Sequence, residues 1–325
     1  MARELLSSVR EQPRHGLGFC AWRAGLPNRV HFTYRQLGQR EAAVRAAEEA
    51  VEVFQKVLET DPYYAAQDAS TEDVRAATGY IVSLYNLGIW YGRAGRKEEG
   101  LAITRTAVDV SSKCAAQDPR TFEPGLARSL HNLGMRYYAL ERWNEALEAI
   151  KQSFLIYQRL PAEQPDIYEF DFAHVIHNVG AIQAALGHWQ EALEPTRKAA
   201  QIYRRFAAAR PEAFLPDVAM SAHELGRIYY RLNRLSEALA AMEEAVEIYR
   251  PLAVHQADAL EPDLATVLHD LSPLYRDAAA PEQALRVAEE AVRIRERLAE
   301  RWPTRYAADL AASRAQVLEL RSSTT

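Results

Sequence analysis

GLARSLHNLGMRYYALERWNEAL (residues 125–147) is followed by DFAHVIHNVGAIQAALGHWQEAL (171–193), and the start of each stretch lies 46 residues from the other. The same pattern returns as DVAMSAHELGRIYYRLNRLSEAL at 217–239 and DLATVLHDLSPLYRDAAAPEQAL at 263–285, and it is preceded by GYIVSLYNLGIWYGRAGRKEEGL at 79–101. Five copies at one fixed period with no insertion are the signature of a chain built from one stacked supersecondary unit.

The apolar spacing inside each copy is helical. Leu130, Leu133, Tyr137 and Leu140 form one stripe, and Ala146, Ala149, Ile150, Ser153 and Phe154 form another. Between the stripes a short turn carries Gly95, Glu141, Gly187, Asn233 or Ala279. Small residues recur where two helices must approach: Gly88, Gly134, Gly180 and Gly226 in the first helix, Ala146, Ala192, Ala238 and Ala284 in the second. Pro119, Pro165, Pro211 and Pro303 keep the period and read as stops for the second helix. Phe122, Tyr168, Phe214, Leu260 and Tyr306 then tuck a connector against the stack, and Asp171, Asp217, Asp263 and Asp309 read as caps of the next helix. The expected fold is therefore all-α, a right-handed solenoid of stacked helix–turn–helix hairpins.

The division along the chain follows from the repeat. Residues 1–27 match no copy and are expected to cap the array or contact a neighbour. Residues 28–78 read as a degenerate first repeat with a longer linker. Five regular repeats follow at 79–124, 125–170, 171–216, 217–262 and 263–308, and 309–325 reads as a capping helix that turns polar.

Leu-Gly-x-x-Tyr, a turn glycine, then Glu-Ala-Leu and a later alanine resemble the tetratricopeptide repeat. The resemblance covers roughly residues 28–322 and departs from that family in length, 46 residues instead of about 34. Repeats of this length are similar to those of kinesin-light-chain-type proteins and of long bacterial arrays. The extra length is expected in a longer second helix and its connector. The resemblance implies a protein-interaction scaffold whose first helices line a groove. Carried onto this chain, the groove takes Tyr85, His131, His177, His223 and His269 in one column and Asn86, Asn132, Asn178, Glu224 and Asp270 in the next. Arg128 and His174 lie at the near edge, with Met135, Arg227, Tyr138 and Tyr230 further along the helices.

Two chemistries compete for these columns. An asparagine amide offers a donor and an acceptor, so it can hold the backbone of an extended segment without reading its sequence. The same amides and imidazoles could equally lock one repeat to the next. His174 and His177 share a helix face, as half of a metal site would. Packed helices stand about 8–10 Å apart, however, and zinc needs several nitrogens at about 2.0–2.1 Å, so the column does not chelate an ion along its length. Exposed imidazoles with a pKa near ~6.5 would charge between about pH 7 and 5.5 and make partner affinity pH-dependent.

Composition narrows the rest. A net charge of −5, with 39 basic and 44 acidic side chains, argues against nucleic acid as main partner. No apolar run reaches the ~18 residues of a membrane span, and two distant cysteines, Cys20 and Cys114, suit a reducing, cytoplasmic setting. Phosphate-loop, dinucleotide, nucleophile-elbow and zinc-protease motifs are all absent from the sequence. The expectation is a non-enzymatic adaptor with a protein or peptide partner and no cofactor. The alternative is a sensor array governing an effector such as a nucleotide-binding switch or a caspase-like protease; a catalyst using the histidine column ranks behind both.

Overall fold

The computed structural model describes residues 40–60, 71–163 and 165–323, and the expected cap at 1–27 and the start of the degenerate repeat lie outside the described residues. The described chain is α-helical, in two compact units that divide between Tyr168 and Glu169. The first unit holds α1 (Arg40–Thr60), α2 (Thr71–Arg93), α3 (Lys97–Gln117), α4 (Pro119–Ala139) and α5 (Trp143–Glu163). The second holds most of α6 (Pro165–Ala185), then α7 (Trp189–Ala209), α8 (Pro211–Arg231), α9 (Leu235–His255), α10 (Ala257–Asp277), α11 (Pro281–Arg301) and α12 (Pro303–Ser323). Within each unit consecutive helices pack as antiparallel hairpins, and first helices also touch the first helix of the next hairpin, α2 on α4 and α8 on α10.

From α3 onward each helix has 21 residues, about 31 Å long at 1.5 Å per residue. Two such helices, a three-residue turn and a single-residue junction fill the 46-residue period. The turn is where the expected residues act. Gly95, Glu141, Gly187, Asn233 and Ala279 all take positive φ, between 56° and 81°. That left-handed step lets the turn amide reach back to the helix, as Glu141 N does to Tyr138 O at 3.0 Å and Arg142 N to Tyr137 O at 3.0 Å.

The junction differs from the sequence reading. Pro119, Pro211 and Pro303 do not stop the second helix; each begins the next first helix. Proline is suited to that place, since its missing N–H is one that a helix start leaves unpaired. Asp171, Asp217, Asp263 and Asp309 lie inside helices, six residues after their starts, and cap nothing. The observed cap sits one residue before the proline: Asp118 accepts from Thr121 N at 3.2 Å. The extra length of the repeat therefore belongs to both helices and leaves almost no connector. Phe122, Leu260 and Tyr306 are buried as expected, but from the second turn of a helix.

The small columns set the depth of packing. A Cβ on Gly134 would stand 2.5 Å from Ile150 Cγ1, and on Gly180 2.1 Å from Thr196 Oγ1, so the two helices of a hairpin cross in contact at these points. Tyr157, Tyr203 and Tyr249 fill the space between second helices and the core, all buried.

Candidate partner-binding face

The groove positions all fall on first helices, and each unit presents its own face. In the first unit Tyr85 and Asn86 stand on α2, and Arg128, His131, Asn132, Met135 and Tyr138 on α4; all are half-buried. Tyr138 is anchored edge-on against Trp143, with ring centroids 4.9 Å apart. Asn86 and Asn132 occupy the same place one repeat apart, and neither amide hydrogen-bonds to any described residue.

The second unit uses the corresponding places differently. His223 Nε2 lies 2.8 Å from Asp270 Oδ2, joining α8 to α10. Buried Glu224, 8% exposed, accepts from Arg227 at 3.1 Å. Tyr230 donates to Asp277 at 2.6 Å. His269 lies 3.3 Å from Ser313 Oγ, and its carbonyl accepts from Gln316. Here His223 with Asp270, Tyr230 with Asp277 and His269 with Ser313 bind repeat to repeat, while Glu224 is held within α8. Asn178 is half-buried on α6.

The imidazoles are not the exposed column that a pH-sensitive groove needs. His177 is 6% exposed and packs toward Tyr203, with ring centroids 6.3 Å apart. His174 sits edge-on to Phe170, 4.6 Å between centroids, and 3.7 Å from Asp217 Oδ1. Burial holds its pKa below the ordinary imidazole range, against the pull of Asp217 and Asp171. Burial likewise lowers His269, helped by the Arg295 cation. Packing against the neighbouring helices leaves His177 buried and His174, His223 and His269 half-buried. Among the described residues no group of three or more His, Cys, Asp or Glu side chains could hold a metal ion.

One residue on the first unit's face escaped the sequence reading. Arg136, on α4, falls in a column otherwise filled by Trp90, Ile182, Ile228 and Leu274, all buried and apolar. Its guanidinium lies over Gly92: a Cβ there would come within 1.9 Å of Nη1. The break in an apolar column was the signal available in the sequence.

The model of the tetratricopeptide repeat family matches residues 32–63, 126–160, 218–250 and 264–301. Among solved structures, BtubC (BKLC) from P. vanneervenii is similar at 19% identity and a TM-score of 0.60, over 80% of this chain and 92% of that one. The apo form of RapI is similar at 12% identity and 0.62, over 92% and 90%. The signal transduction ATPase PH0952 from Pyrococcus horikoshii, described as having a tetratricopeptide repeat sensor, is similar at 16% identity and 0.59, over 94% of this chain and 39% of that one. These identities speak for the fold alone. No curated protein matches the chain.

Proposed function

Taking the chain as a tetratricopeptide-repeat protein, we propose that it is a non-catalytic adaptor that holds an extended segment of a partner protein on the first-helix face of its first unit. The observation that carries this is the contrast between the two units. Glu224 and Asp270 spend their polar atoms on Arg227 and His223, whereas the amides of Asn86 and Asn132 bond to no described residue. A half-buried amide with donor and acceptor both uncommitted gains most from a chain that supplies the complementary pair, which a peptide backbone does. Tyr85, His131, Met135 and Tyr138 supply half-buried apolar and aromatic surface beside them.

Neither nucleic acid nor membrane suits this face. The net charge is −5, and among the described residues no helix is long and apolar enough to cross a bilayer. A reducing, cytoplasmic setting suits Cys114, a buried free thiol.

Site-specific photocrosslinking tests the reading. A benzoylphenylalanine at Met135 should capture a partner from cells of the source, and the same probe at Leu155, exposed on α5, should not. Capture from Leu155 alone would move the interface to the second helices. A second reading makes the array the sensor of an effector, as the description of PH0952 states for that protein; a captured partner whose activity changes on binding would favour it over a passive adaptor.

A further inference from the structure

Leu318, on α12, is 67% exposed in a place where the regular repeats carry something small. Its counterparts are Gly88, Gly134, Gly180, Gly226 and Ser272, where the second helix of each hairpin crosses the first. At Gly134 and Gly226 even a Cβ would stand 2.5 Å and 2.6 Å from a side chain of that second helix. A leucine at this point excludes a second helix in the register of the other hairpins. Arg314 departs from its column too. Its counterparts Leu130, Ile176, Ala222 and Leu268 are buried, whereas Arg314 is exposed and pairs with Glu296 on α11 at 2.7 Å. The outer face of α12 is therefore built against the array's own next helix.

Nor is that face built for water. Val292, Val317 and Leu318 line an open groove of about 480 Å³ between α11 and α12. Beside it Thr304, Ala308, Ala311, Ala315, Leu318 and Ser322 are all exposed, and none is charged. Their steps of four, three, four, three and four residues are the heptad spacing by which one helix pairs with another. We propose that α12 is a self-association surface, which pairs antiparallel with α12 of a second copy of this chain.

In that orientation the seam is its own complement, as an isologous twofold contact requires. With the axis beside Ser313, Leu318 lies over Ala308 of the second copy, Ala311 over Ala315 and Thr304 over Ser322. The one large side chain meets a small one, and the alanines allow the close end of the ~8–10 Å range of helix separations. The charges agree with the pairing. Arg305 stacks on its neighbour Tyr306 and makes no ion pair among the described residues. On its flank of the seam it comes opposite Glu319 of the second copy, an exposed carboxylate that reaches Arg276 at 3.3 Å. Symmetry makes this pair twice. On the other flank Arg314 meets its own counterpart across the axis, but Glu296 already offsets each copy, as Glu289 does Arg321 at 2.7 Å. The pairing does not depend on the adaptor reading, since α12 lies in the second unit and the proposed partner face in the first.

Sedimentation equilibrium on the purified full chain, over micromolar concentrations, tests this without any partner protein. Wild type should sediment with twice the 36.7 kDa of one chain. Leu318→Glu puts a charge in the seam and should weaken the dimer at least tenfold, with the helical circular dichroism spectrum unchanged. Val254→Glu, at another exposed apolar residue, should leave the dimer intact. Glu319→Arg sets like charges opposite each other and should weaken the dimer; adding Arg305→Glu to that variant should restore it. A monomer at every concentration, or a dimer indifferent to Leu318→Glu, would overturn the surface. Failure of the double charge swap to restore what Glu319→Arg loses would overturn the antiparallel pairing.

Discussion

At the scale of single residues, the five left-handed turn positions carry the clearest energetic consequence. Glycine enters positive φ without cost, whereas other L-residues pay about 1–2 kcal/mol there. Ala279, at φ 56° and exposed, is therefore strained in a place where Gly187 is not. Ala279→Gly should stabilise the chain by about 0.5–1 kcal/mol, the strain relieved less the extra freedom glycine gives the unfolded chain. Gly187→Val should destabilise it; chemical denaturation checks both. Tyr203 supplies a second case. Its ring is fully buried among Phe170, His174 and His177, and its hydroxyl finds no hydrogen-bond partner among the described residues. An unmade buried hydrogen bond costs about 1–3 kcal/mol, so Tyr203→Phe should raise stability by about 1 kcal/mol. A loss in that variant would show that the hydroxyl is satisfied in solution.

At the scale of helices, the Phe170–His174–Tyr203–Asp217 contact between α6, α7 and α8 makes stability depend on pH. His174 has a folded pKa below its ordinary value, so the unfolded state binds the proton first as pH falls through about 6.5. Stability is then fully present above that pH and drains away below it. Asp217 acts in the opposite sense, since burial raises its carboxyl and the folded state takes that proton first, but only nearer the carboxylate range. Read between pH 7 and 5.5, the imidazole sets the sign. His174→Met, the residue its counterpart Met220 carries in the next repeat, should flatten the fall in melting temperature over that interval; an unaltered slope would assign it to His269 or elsewhere.

Much of this level is legible in the sequence, because the 46-residue period and the Gly and Ala columns are direct imprints of hairpin packing. The helix starts are less so. Pro124, Pro216 and Pro262 lie inside first helices, each five residues after the start, and the helix continues through them. The side-chain partners are less legible still. His223 with Asp270 and His269 with Ser313 depend on which side of the first helix faces its neighbour, and a column of like residues does not reveal that.

At the scale of the whole molecule, the same repeat serves two ends. The second unit closes its columns with internal bonds and buries or half-buries the column's imidazoles, and the first leaves the Asn86 and Asn132 amides and the Nε of Arg136 without a bond to a described residue. Surface ion pairs such as Arg204 with Glu244 and Arg250 with Glu290 recur one period apart along the second helices; exposed pairs of this kind contribute about 0–1 kcal/mol each. They decorate the array and do not locate its function. The central claim is that the first unit's face, and not the second helices, receives a partner. The most direct measurement is co-purification from cells of the source, with wild type beside an Asn86/Asn132/Met135/Tyr138→Ala variant shown by circular dichroism to melt as the wild type does. The account predicts a partner bound in stoichiometric amount by the wild type and lost from the variant. A partner retained equally by both would contradict it.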